Sequence, residues 1–335
     1  MKEKTIVIGL VFGLCVGALP PRAAAQQLGT PTILVLDERN GVNYNEDTAD
    51  VTKFATSSAI VPVSLMPSWT NGTGFLDIYA INGQTVKGLH SYRFTKFGLS
   101  TATLTPGAAI ADVARLSMIQ HVWEIQDANG VAMGTIMGQG FANGPAPPGS
   151  PAAQLSSNVS IVGGTGAYVG VRGTIGGTAL PIGLPAVAQR QASVVEDPAY
   201  RRVNGGGLAR WVMTLYPGNA PQVVSILHAD TSPVSNSRPA VAGERLTLVA
   251  SGLGPTRPAV EPGQAFPASP QLQVNAPVTV LVNGQSAPIT QAIGYPGAVD
   301  QYLLYFNVPS GITGLASVQL TTAFLAGPGV YIPVQ

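Results

Sequence analysis

The chain has only three histidines, His90, His121 and His228, and imidazole is the side chain best suited to give and take protons near neutral pH. None of them stands in an H-x-H, H-x-x-x-H or His-carboxylate spacing that would hold a metal ion. His90 alternates in phase with Tyr92 and Phe94, so on an extended strand the three share a face, stacked on a ligand or on each other. His121 is in phase with Ile119, Trp123 and Ile125, the pattern of a histidine in a packed or surface row rather than of a base, and Glu124 falls on the opposite face. Asp37-Glu38-Arg39 closes an apolar run, and charges that end a strand at a barrel rim are well placed to meet a ligand. The densest charge cluster, Glu196 to Arg202, reads either as a loop offering two arginines to an anionic group or as a solvated hairpin. The hairpin is favoured, its ion pairs each worth less than about 1 kcal/mol. No G-x-S-x-G elbow is present, which removes the usual serine-hydrolase signature.

The elements that must position these groups are strands. Charged residues are 10% of the chain, with 17 Lys and Arg against 16 Asp and Glu. That balance lacks the basic stripe that nucleic-acid binding needs. The 40 glycines and 28 prolines break helices, while a 45% hydrophobic content suffices for a core. Strand candidates are 32–38, 54–65, 74–86, 88–97, 115–127, 131–141, 159–178, 190–196 and 209–216, each bounded by turn residues. Residues 108–116 offer one short helical segment. Asn82-Gly83 and Asn129-Gly130 predict tight hairpins, because both residue types tolerate positive φ. Residues 28–217 therefore predict an antiparallel barrel, which removes exposed edges. Within 131–141, one face carries Met133 and Met137 and the other is mostly glycine; the methionine face is a candidate cavity lining or ordinary core.

The first 25 residues read as an export leader. Lys2 and Lys4 precede an uncharged apolar run from Ile6 to Leu19, and Ala23-Ala24-Ala25 supplies the small residues of a cleavage site. The apolar run is shorter than a spanning helix needs, and no second such run follows, so no membrane span is expected after cleavage. Cleavage removes Cys15, the only cysteine, and turns the formal charge from +1 to −1. A secreted, periplasmic or cell-surface protein without disulfides, thiol chemistry or cofactor is expected.

The strongest local motif is Val162-Gly163-Gly164-Thr165-Gly166-Ala167-Tyr168, followed by Arg172-Gly173. A dinucleotide-binding turn needs a helix after its glycines and an acid about 20 residues on. Poor helix formers follow here, position 186 is alanine, and that reading is rejected. As strand–turn–strand, the motif resembles the allene oxide cyclase and dirigent barrel superfamily, whose Val-Gly-Gly-Thr-Gly turn leads to an aromatic residue and then Arg-Gly. Asp37-Glu38-Arg39-Asn40-Gly41 resembles the end of the cyclases' first strand, although Val35 stands where they carry Glu. The resemblance implies a barrel over about 32–216, often trimeric, with Arg172 and Asp37 as acid–base or radical-orienting groups. With the methionine and aromatic strand faces and the charged strand end, it leads to the expectation of a lipophilic ligand met by His90, Tyr92, Glu38, Arg39, Met133, Met137 and Tyr168.

Residues 222–335 have the size of a β-sandwich. Ala250-Ser251-Gly252-Leu253-Gly254-Pro255, Pro262-Gly263-Gln264, Val278 to Gly284 and Tyr305 to Pro309 resemble an immunoglobulin-like module of exported bacterial proteins. Three functions follow as expectations: a barrel that binds a lipophilic small molecule, a cyclase or isomerase acting on an unstable epoxide or phenolic radical, or a surface adhesion protein of two structural modules.

Overall fold

The computed structural model describes residues 31–46, 68–98, 115–142, 157–177, 190–193, 197–204 and 206–335. The expected leader and the strand candidate at 54–65 lie outside them, as does most of the helix candidate at 108–116, whose last two residues, Arg115 and Leu116, begin a strand instead. Nine strands precede Pro217: β1 (Thr32–Glu46), β2 (Ser68–Ile81), β3 (Gln84–Gly98), β4 (Arg115–Gln126), β5 (Ala132–Ala142), β6 (Ser157–Gly164), β7 (Arg172–Gly177), β8 (Arg190–Ser193) and β9 (Gly207–Tyr216). Eight of them close a ring in the order β1-β2-β3-β4-β5-β6-β7-β9, with β9 returning to β1, every pair antiparallel. β8 lies outside the ring, parallel to Val42–Asn45 of β1.

Turn chemistry sets the register. Asn82 and Gly83 take φ of 51° and 77° between β2 and β3, as a primed hairpin turn requires. The Asn82 side chain also accepts from Val35 N (2.7 Å) and donates to Ile33 O (3.2 Å), which ties the turn to β1. Between β4 and β5, Asp127 Oδ1 accepts from Asn129 N and Val131 N. The glycine motif is a turn: Gly166–Tyr168 make a single 3-10 turn between β6 and β7, with no α-helix after it. Gly166 has φ 61°, and a Cβ there would fall 2.4 Å from Met133 O, so only glycine fits.

Of the register shifts in the barrel, one in β1 and one in β5 change the facing of residues singled out from the sequence, and both depart from simple alternation. β1 runs through Asp37–Arg39 to Glu46 rather than ending there, with Asn40 at φ 56° inside a register shift. Asp37 to Arg39 therefore stand in the wall, not at a rim. On β5, a register shift opposite Ile125/Gln126 inserts Met133 as an extra residue. It is buried, whereas Met137 is exposed and Ile136 and Gly138 face the interior. The methionines thus do not form one lining face.

Beyond Pro217, β10 (Gln222–Leu227), β11 (Arg245–Ser251), β12 (Thr256–Arg257), β13 (Gln273–Val274), β16 (Ile289–Gly294) and β17 (Gln301–Asn307) form one sheet, in the order β10-β11-β17-β16-β13-β12. β14 (Val278–Val282), β15 (Gln285–Ala287), β18 (Gly314–Thr322), β19 (Leu325–Ala326) and β20 (Val330–Val334) form a second. Leu248, Leu304, Phe306, Val280, Val318 and Leu320 are fully buried in their common core, each worth about 1.5–3 kcal/mol of burial. The two units touch at the glycine turn: a Cβ on Gly254 would lie 2.8 Å from Ala167 Cα. Ala276, Ala323 and Leu325 belong to the same buried cluster as Ala167, Tyr168 and Val171. No helix among the described residues is long and apolar enough to cross a membrane.

Candidate functional site

Strand pairing brings three titratable side chains into the barrel interior on successive rungs. Glu38 of β1 pairs with Ile78; His90 of β3 lies across from Leu76 and Trp123; His121 of β4 lies across from Tyr92 and Gly138. Their side chains form one continuous chain. Glu38 Oε2 is 2.9 Å from His90 Nδ1, and His90 Nε2 is 2.8 Å from His121 Nδ1. Trp211 of β9 donates its indole N–H to the same Glu38 oxygen at 2.9 Å. Trp123 stacks on both imidazoles, at centroid distances of 4.6 Å to His90 and 4.8 Å to His121.

Glycines make room for these rings. A Cβ on Gly74 would stand 2.1 Å from Tyr92 Cζ, and one on Gly138 would stand 3.0 Å from Trp123 Cζ3. The glycine face of β5 is therefore the inner one. The Tyr92 hydroxyl donates to Asn43 Oδ1, an inward residue only because the β1 bulge has shifted the strand's parity.

Glu38 and His90 are completely shielded from solvent and His121 nearly so. Burial penalises charge. It holds the Glu38 carboxyl well above its ordinary pKa, partly offset by the Trp211 and Trp123 indoles and reinforced by the nearby Asp37 charge. Burial lowers His90 to about 3. It also lowers His121 well below the usual histidine value, assisted by His90. The interior thus favours neutral forms of all three groups. His121 Nε2, at the end of the chain, is buried without a hydrogen-bond partner, as is Glu38 Oε1. An unsatisfied buried polar atom costs about 1–3 kcal/mol, so a purely structural core has reason to avoid both. No group of three or more His, Cys, Asp and Glu side chains among the described residues is arranged to hold a metal ion; these three are strung end to end.

Of the residues singled out from sequence, Glu38, His90 and Tyr92 meet here. The others are elsewhere. Asp37 faces outward and takes a two-pronged hydrogen bond from Arg210, at 2.5 and 2.7 Å. Arg39 is exposed, with its guanidinium 5.5 Å from the Tyr79 ring centre. Arg172 is exposed and donates to Val171 O at 3.0 Å. Tyr168 is fully buried beside Gly134 and Gly164, at the end of the barrel that meets the second unit. Asp37, Arg172 and His90 do not converge. Of the charge cluster, Glu196 lies outside the described residues, and Pro198–Arg201 form a 3-10 turn rather than a solvated hairpin: Arg201, itself buried, and Arg202 donate to the Asp77 carboxylate at 2.6–2.8 Å, and Asn40 donates to it at 2.9 Å. His228 lies in the second unit with both ring nitrogens engaged, by Glu244 Oε1 and Arg238 O.

Sequence reading passed over His121, Trp123 and Trp211 as site residues. The shared phase of His121 and Trp123 was visible, but not which face of the strand turns inward, and the register that sets His121 beside His90 is fixed by the pairing of β3 with β4. Comparison with protein-family models, with curated proteins and with solved structures finds no match for this chain. The fold and the site together define a closed eight-stranded antiparallel barrel, joined to two further antiparallel sheets, with a buried carboxyl–imidazole–imidazole chain inside it.

Proposed function

We propose that this is an exported protein of the allene oxide cyclase and dirigent type whose barrel binds a lipophilic small molecule, followed by an immunoglobulin-like module. The observation that carries the reading is the partnerless His121 Nε2, set among Tyr92, Trp123 and Trp211. An apolar pocket with one or two convergent polar atoms is the usual form of a small-molecule site. Phe94 and Trp211 lie against the buried cluster yet remain only partly covered, which leaves aromatic surface for an apolar ligand. A ligand hydroxyl or carbonyl near His121 would meet the unsatisfied nitrogen.

Tryptophan fluorescence tests this directly, since two of the three tryptophans, Trp123 and Trp211, line the site. Titration with long-chain fatty alcohols, fatty acids and phenols is expected to give saturable quenching. His121→Leu is expected to weaken oxygen-bearing ligands by roughly tenfold, the worth of one hydrogen bond, and to spare hydrocarbons. No saturable change with any of these ligands would overturn the proposal.

A further inference from the structure

Resting on that reading of the interior, we infer that the barrel is also a catalyst of proton transfer, with His121 Nε2 as the base for a neutral lipophilic substrate and His90 and Glu38 as the relay behind it. The argument is a hydrogen inventory. Each of the two links in the chain holds one hydrogen. With Glu38 ionised, His90 Nδ1–H donates to the carboxylate, His121 Nδ1–H donates to His90 Nε2, and His121 Nε2 presents a bare lone pair. With Glu38 protonated, the carboxyl donates to His90 Nδ1, His90 Nε2–H donates to His121 Nδ1, and His121 Nε2 carries a hydrogen outward. The two states differ by one proton, and neither contains an imidazolium.

Abstraction then balances as follows. The substrate C–H bond breaks and its electron pair stays on the substrate, while the proton bonds to His121 Nε2. The His121 Nδ1 proton passes to His90 Nε2, and the His90 Nδ1 proton passes to Glu38 Oε2. Return of a proton by the same route to another atom of the substrate completes an isomerisation with no co-reactant. A lone buried imidazole would have to become a cation, which an apolar interior disfavours; the relay delivers the positive charge to a carboxylate instead.

The groups facing the chain suit this role. Trp211 and Trp123 face Glu38; Tyr92, Trp123 and Trp211 surround His121; and Tyr92 is held by Asn43. Asp37 and Asp77 stand on the outer face, each paired with arginine. His90 and Glu38 act through His121 and are positioning residues.

The probe is 5-nitro-1,2-benzisoxazole, a neutral planar compound. Removal of its ring C–H proton breaks the N–O bond and releases a coloured cyanonitrophenolate. With the full chain, binding is read by tryptophan quenching and turnover by absorbance. Turnover is expected to exceed that of equimolar imidazole by roughly 10²–10⁴-fold, to rise with pH as Glu38 ionises, and to vanish in His121→Gln. Glu38→Gln is expected to abolish the pH-dependent rise and Glu38→Asp to restore part of it; His90→Gln, which keeps polar contacts but breaks the wire, repeats the loss. A folded Glu38→Gln protein with an unchanged pH profile would overturn the relay. So would a bound probe consumed no faster than by imidazole. A probe that fails to quench a protein which the fatty alcohols, fatty acids or phenols do quench, or that quenches without turnover, overturns the relay alone; a protein quenched by none of these compounds loses the ligand reading as well.

Discussion

Asp37 and Glu38 are adjacent on β1 and stand on opposite faces of the barrel wall. The Asp37 carboxylate is held outside by Arg210, and Glu38 is sealed inside against His90. Strand alternation produces this division: one carboxylate, though largely covered, is paired with arginine on the outer face, and the other is buried beside imidazole in the interior.

The buried site sets a pH dependence of stability with opposing parts. Unfolded histidine binds protons below about pH 6.5, while folded His90 resists them down to about 3 and His121 resists them well below 6.5. Both therefore cost stability as pH falls from 6.5. Glu38, raised in the fold, retains a proton that the unfolded chain has lost above about pH 4.5, so its contribution declines as pH rises. Between pH 4.5 and 6.5, two groups oppose one, and stability should fall with acidification by up to about 1.4 kcal/mol per pH unit. His90→Gln should flatten this slope and Glu38→Gln should steepen it, as read from urea midpoints across that range.

The Asp77 latch should be asymmetric. Arg201 is buried and Arg202 largely exposed. Asp77→Ala strands the Arg201 cation and is expected to cost about 3 kcal/mol. Arg202→Ala should cost less than about 1 kcal/mol. Equal losses in chemical denaturation would show that the pairing is misassigned.

Glycine packing makes a sharper case. Gly74→Ala drives a methyl into the Tyr92 ring and should cost about 1–3 kcal/mol. In a Tyr92→Ala background the same change should cost much less, because the ring it meets is gone. A double-mutant cycle without coupling would disprove this contact.

Arg172→Ala should leave stability within about 0.5 kcal/mol and leave tryptophan quenching by ligands unchanged, because the side chain is exposed and its guanidinium donates to the neighbouring Val171 carbonyl. Altered ligand affinity in this variant would restore Arg172 to the binding site.

Much of the architecture was legible in the residues. The Asn82-Gly83 turn and the glycine motif followed from local backbone preference, and alternation grouped His90 with Tyr92 and His121 with Trp123 without saying which face turns inward. Two things were not legible. Bulges at Asn40 and Met133 change strand parity without disturbing composition, so Met137 looked like a cavity residue and Asn43 did not. The second is register: His90 and His121 lie 31 residues apart, and no local signal says that their strands pair so that the imidazoles touch.

The contribution of Ala323 and Leu325 to the barrel's buried cluster bears on biosynthesis. A polypeptide made from its amino end would display an unfinished apolar base on the first unit until almost the last residue emerged. Proteolytic trimming or premature termination near the carboxyl end would consequently damage a site assembled two hundred residues upstream.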